Sequence, residues 1–250
     1  MTINRRRFIY VTIAISVWLL LWEILARAVN VDYIFPSFTQ TVGAFIGLIK
    51  TANFYLTVFF SIFRILLGFL VGSILGVILG FISHISDLAF CFIHPVMSVI
   101  RSTPVASIII IIWFFIPKEF IPIVIGLFMV SPIIWQSTYD SLHIKNKELA
   151  EVADIFGIKG GQRFKILVLP TVIKYLFPAI VTSSGLAWKS GVAAEIITYT
   201  RNSIGFEISN AKNALEGADM LAWTITVILL NATIELIIRY TIRRLQSKWA

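Results

Sequence analysis

Four ionisable residues, Arg64, Arg101, Lys189 and Glu195, stand inside long apolar runs. A charge there is costly unless it faces a partner, a water-filled path or a solute. Three cations against one carboxylate suit a path that tolerates or attracts an anion. They suit a structural role as well, with Arg64 paired to Glu195 and the Lys189 ammonium snorkelling to the membrane surface. Both readings stay open at this point. Other chemistry finds little support: His84, His94 and His143 make no His-Glu-x-x-His pair, and neither a Gly-x-Ser-x-Gly elbow nor a Walker phosphate loop occurs. No catalytic residue, metal site or nucleotide site of the chain's own is expected, and each histidine reads as a polar group near a helix end or packed in a kink. Cys91 is the single cysteine, which excludes an intrachain disulfide and reads as a small buried hydrophobe.

The elements that must position these residues are membrane spans. Of 250 residues, 58% are hydrophobic and 14% charged, and the mean hydropathy is +0.89, which excludes a soluble domain. The net charge of +8 does not indicate nucleic acid, because Lys and Arg fall at the ends of apolar runs instead of forming a folded basic face. Arg5, Arg6 and Arg7 precede the first run, 8–29, in which Ala26-Arg27-Ala28 resembles a signal-peptidase site. That run is near the upper length limit for a signal peptide, and Glu23 and Arg27 follow at helical spacing, so an uncleaved span is expected. Further spans are expected at about 55–82, 88–116, 120–135, 172–198 and 220–238. The third contains Pro95, Arg101 and Pro104 and should be kinked. The fold class is therefore an all-α integral membrane protein of about six transmembrane helices, one domain over 1–250 with its core at about 55–240.

Gly68, Gly72, Gly76 and Gly80 recur every fourth residue in the second span. That spacing flattens one helix face, so another helix backbone can approach closely. With six spans, Arg5–Arg7, the basic residues of 145–165 and the C-terminal Arg239, Arg243, Arg244 and Lys248 share one side, while Lys50, Lys118, Arg201 and Lys212 fall on the other. The positive-inside rule makes both termini cytoplasmic and puts 31–53 and 199–219 outside.

On the cytoplasmic side lies the long polar stretch 146–170. Leu149, Val152, Ala153 and Phe156 form an apolar stripe opposite Glu148, Glu151 and Asp154, with Asn146 able to cap the start and Gly157 able to end the helix left-handed. A second short helix follows Gly160-Gly161, with Phe164, Leu167 and Val168 on one side and Pro170 where the direction should change. Short helices are marginal alone in water and need support.

The order Glu151-x-Ala153, Gly157 after three residues and Leu167-x-Leu169-Pro170 after nine more resembles the Glu-Ala-Ala loop of membrane permease subunits of ABC importers. Val152 replaces the middle Ala, and Leu167 stands where Ile is usual. Ile34-Phe35-Pro36-Ser37, Ser61-Ile62-Phe63-Arg64 with Gly68-Phe69, Arg101-Ser102-Thr103-Pro104, and Ala187-Trp188 with Ala193-Ala194-Glu195 follow the order of the nitrate/sulfonate/taurine-type branch. Roughly 34–208 is covered.

The resemblance implies a type I importer permease of the cell (inner) membrane, working with a second permease subunit, a homodimer being expected. Other implied partners are membrane lipid, an extracytoplasmic solute-binding protein and cytoplasmic ABC ATPases docked on a coupling loop, 139–171, through Glu151, Ala153, Gly157, Leu167, Leu169 and Pro170. The chain would then be no enzyme and bind no cofactor, ATP and Mg belonging to the partner ATPase, and the solute would be small, an anion in the resembled branch although the family also handles neutral and cationic solutes. Two rivals are a self-sufficient secondary transporter, which calls for paired broken helices in related halves, and an intramembrane enzyme. No internal repeat is evident.

Overall fold

The apolar runs form helices in a computed structural model that describes residues 5–143, 155–157 and 160–246. Among those residues every regular element is helical, as lipid demands of backbone groups that find no water. In chain order they are α1 (Arg5–Val29), α2 (Phe38–Leu48), α3 (Ala52–Ile85), α4 (Asp87–Ser102), α5 (Val105–Trp113), α6 (Ile121–His143), α7 (Leu169–Thr198), α8 (Ile204–Asn213) and α9 (Gly217–Gln246). α1, α3, α6, α7 and α9 are each long and apolar enough to cross a membrane, and the bent pair α4 and α5 brings the number to six when it is counted as one span.

The glycine face of α3 sets the topology. Gly68 meets Ile123, Gly72 meets Leu127, Gly76 meets Ser131 and Gly80 meets Trp135, so α3 and α6 run parallel. Parallel neighbours in sequence need a return crossing, and α4 with α5 supplies it. The expected kink there is a full break of 103°. Thr103 is extended at φ −80° and ψ 132°, because the Pro104 ring disfavours helical backbone in the preceding residue; Pro95 stays inside α4. α7 runs antiparallel to α3, Gly191 touching Ile65 and Glu195 meeting Ser61. Trp188 Nε1 donates to the Val227 carbonyl of α9 at 3.0 Å.

Two apolar clusters fill the bundle. Phe54, Ile65, Val130, Ile134, Trp188 and Trp223 join α3, α6, α7 and α9, while Ile109, Ile121, Ile125, Met129 and Ala194 join α5, α6 and α7. One end of the bundle gathers the turn after α1, the Lys118–Phe120 turn and α8: Gly217 packs on the carbonyls of Asp32 and Tyr33, and Thr200 Oγ1 donates to Lys118 O at 3.0 Å. At the opposite end α3 turns into α4 at Ser86.

Several expected boundaries move. α6 continues past 135 to His143, its polar hydroxyls finding acceptors within the helix, Thr138 Oγ1 to Ile134 O at 2.8 Å and Ser141 Oγ to Thr138 O at 2.7 Å. α9 continues past 238 to Gln246, with Arg239 paired to Glu235 one turn back at 2.6 Å. The polar stretch 31–53 holds α2, whose Ser37 and Gln40 form a capping box. Glu23 ties α1 to it by accepting from Thr39 N–H and Oγ1 at 3.1 and 3.0 Å. No change of direction occurs at Pro170. Gly160–Arg163 leads through a π turn, Phe164–Val168, into α7, and Pro170 sits in the first turn of α7, where its missing N–H is least costly. Cys91 is exposed on α4 and not buried.

Candidate functional site

Ser203 starts α8, its hydroxyl accepting from Phe206 N–H at 3.1 Å. The amides of Ile204 and Gly205 precede any intrahelical carbonyl and need partners from elsewhere. Ser61 Oγ, from α3, accepts from Ile204 N–H at 2.8 Å. Glu195 Oε2, from α7, accepts from Gly205 N–H at 3.2 Å and from the Ser61 hydroxyl at 2.9 Å. Glu195 is 0% exposed, and the donors and the positive helix end that meet it act through Oε2 alone. Oε1 has no hydrogen-bond partner among the described residues. Residue 205 has to be glycine, since a Cβ would strike the Glu195 side chain and the Ile196 amide.

Arg64 acts on the same turn from another direction. Tyr199 and Asn202, both at φ +51°, reverse the chain between α7 and α8. The Arg64 guanidinium donates to the open carbonyls of Asn202 at 3.0 Å and Arg201 at 3.3 Å. The Arg64–Glu195 ion pair, one of the two sequence readings, does not form. Both side chains hold the α7–α8 turn, one through carbonyls and one through amides.

The other two cations stand apart. Arg101 ends α4 at the break and donates to the Pro132 carbonyl of α6 at 3.2 Å. Lys189 is exposed and makes no hydrogen bond or ion pair among the described residues. Helical spacing puts it on the side of α7 that carries Leu186 and Ala193, which pack around the α5–α6 cluster. Farther along, Ile197 and the α5 residues Ile110 and Trp113, with Phe114, border an open hollow of about 540 Å³.

Residues 68–247 match the binding-protein-dependent transport system inner membrane component family. The chain belongs to that family. It is the permease family of ABC importers, a transport component and not a catalytic one. No curated protein matches the chain. The matched stretch of the permease takes in the glycine row, Arg101, Lys189, Glu195 and Gly205, whereas Ser61 and Arg64 precede it.

Of the loop residues in this permease, Glu151 and Ala153, with most of the first short helix, lie outside the described residues. Gly157 has φ +67°, the left-handed conformation that ends a helix at lowest cost in glycine. Leu167 sits in the π turn and Leu169 and Pro170 open α7, all three partly buried. The helical path from Gly160 to Thr198 is unbroken and so links the loop directly to Lys189 and Glu195.

Ser61, Ser203 and Gly205 were not singled out from the sequence as site residues. A signal existed for Ser61, which shares a helix face with Arg64 and Gly68 by its spacing. None existed for Gly205, whose neighbour Glu195 is seen only in the fold. The histidines also meet unexpectedly: His84 and His143 lie with Nδ1 atoms 3.4 Å apart at the α3–α4 end, and His94 packs on Phe90 and Trp135. Among the described residues no group of three metal-capable side chains forms.

Proposed function

We propose that this permease is the translocation subunit of an ATP-driven importer for a small anionic solute, sulfonate-, nitrate- or taurine-like, working as a pair of such subunits. The observation that carries the reading is the contrast among the four intramembrane charges. Arg64, Arg101 and Glu195 are engaged by backbone groups, while Lys189, exposed on α7, has no counter-charge among the described residues. A cation held without a partner in a span suits a path for anions. The side bearing Lys189 and the hollow by Trp113 is where the second subunit closes that path.

The end opposite α8, rich in Arg and Lys, is the cytoplasmic one, and α8 faces the external binding protein. ATPase subunits, which supply ATP and Mg chemistry, grip the loop about Glu151 and Gly157. An amphipathic helix passes on movement by docking rigidly in a partner groove. The unbroken helix from Gly160 carries that movement to Lys189 and to the Glu195–α8 junction.

Reconstitution with the cognate ATPase and binding protein tests both parts. Gly157→Val strains a left-handed residue and Glu151→Lys puts a cation near a helix start; both variants should insert normally and lose solute-stimulated hydrolysis. Wild-type ATPase binding, hydrolysis and uptake in both would remove the loop from the mechanism. Lys189→Gln should lower uptake of the anion with the complex still assembled. Unchanged uptake, or a cationic substrate, would sink the anion path.

A further inference from the structure

Between α7 and α9, toward the end opposite α8, lies a second hollow of about 280 Å³. Phe177, Pro178 and Val181 line it from α7 and Ile242 from α9, giving an apolar floor. Three polar side chains close it: Thr182, Arg239 and Arg243. Arg239 is steered by Glu235, which accepts from Nε at 2.8 Å and Nη2 at 2.6 Å, so Nη1 takes no part in that pair. Arg243, in the last turn of α9, has no hydrogen bond or ion pair among the described residues. Thr182 is unusual in the same way. Thr198, Thr224, Thr226, Thr233 and Thr241 each bond the carbonyl one turn back, whereas the Thr182 hydroxyl makes no hydrogen bond among the described residues.

The surroundings say what fits. Leu236, Ile237 and Tyr240 beside the hollow are 58–67% exposed, an apolar surface that a bilayer covers. A site with two guanidinium groups, a free hydroxyl and an apolar floor, opening on such a surface, matches a phosphodiester with acyl chains and not a freely dissolved ion. The geometry points to a binding site for one anionic phospholipid, its phosphate between Arg239 and Arg243, its glycerol region at Thr182, and an acyl chain along Phe177 and Val181. Pro178 shapes the floor, having no N–H to offer. Its assignment to the cytoplasmic leaflet rests on the orientation proposed above, whereas the choice of headgroup does not.

Native mass spectrometry of the full permease with its partner subunits in detergent tests the site with phosphatidylglycerol, phosphatidylcholine and inorganic phosphate as probes. Phosphatidylglycerol should be retained selectively. Arg243→Gln should weaken it about fivefold and Arg239→Gln with Arg243→Gln about thirtyfold. Thr182→Ala, which disturbs no packing pair, should weaken it measurably, and Lys50→Gln at the other end should not. Equal retention of phosphatidylcholine, retention by the double variant, or displacement by millimolar phosphate would each overturn the proposal. Detergent removes sidedness from this measurement, so a wrong orientation would show only in impermeant-reagent labelling of intact cells.

Discussion

The α3–α6 seam and the α7–α8 junction hold the same helix, α3, by opposite means. Along the seam, four glycines let backbones touch, and Gly126 faces Gly68 so closely that a Cβ would lie 3.3 Å from its Cα. The seam's side-chain hydrogen bonds come near one end, Trp135 Nε1 to Ser83 Oγ at 2.9 Å and His84 with His143 at 3.4 Å between Nδ1 atoms. At the junction, contact is made by hydrogen bonds that the first amides of α8 donate to side chains of α3 and α7. Lipid tails are as apolar as leucine, so helices within the bilayer gain little from hydrophobic burial and associate through close packing or polar contacts. The seam uses the first, spread over four glycine contacts. The junction uses the second, concentrated in a few atoms that a helix start leaves unsatisfied.

That difference should show most strongly where the seam is overfilled. A Cβ on Gly72 already lies 2.9 Å from Leu127 Cα, and one on Gly76 lies 2.8 Å from Ile134 Cβ. Gly72→Leu or Gly76→Leu should therefore cost about 3 kcal/mol, seen as lost assembly and a lower thermal midpoint. Val77→Leu, off that face, should stay near wild type. Equal tolerance of all three would mean that the seam is not held by backbone contact.

Next comes the junction. Glu195→Ala leaves the Gly205 amide and Ser61 hydroxyl without their acceptor and should cost about 2 kcal/mol. Glu195→Gln keeps an acceptor and should recover most of that loss. Hydrogen exchange is the readout: faster exchange at residues 204 and 205 with an unchanged seam would confirm two independent regions, while equal acceleration in α6 would merge them. Ser61→Ala should act in the same direction, by about 1 kcal/mol, since Gly205 keeps its partner.

The smallest effect concerns Glu207 on α8, outside the spans. Burial raises its pKa above the ordinary 4.5, against a hydrogen bond from Asn53 that lowers it. The folded state thus favours the neutral carboxyl. Its contribution is complete below about 4.5 and is lost as pH rises through the higher folded value. Opening of α8, followed by hydrogen exchange corrected for intrinsic rates, should increase modestly over that interval, and Glu207→Gln should flatten the profile. An identical slope in the variant would assign the pH dependence elsewhere.

Run length and composition by themselves determined that this is a helical membrane protein of five to six spans, because the match between apolar length and bilayer thickness can be read along one dimension. Helical periodicity likewise turned the glycine spacing into a face before any partner was known. The spacing of Glu151, Ala153, Gly157 and Pro170 was enough to suggest the family. What those glycines meet, and what Glu195 does, only the tertiary structure decided. Charge suggested Arg64 as the partner of Glu195, yet Ser61 and Gly205 took that place. Ser61 is 134 residues away in the chain, and Gly205 contributes a backbone amide that no side-chain pattern advertises. The break at Thr103 and the unbroken helix through Pro170 differ for a similar reason. The same residue type interrupts a helix in its interior and is accommodated in its first turn, and where the turn begins depends on how the neighbouring segments pack.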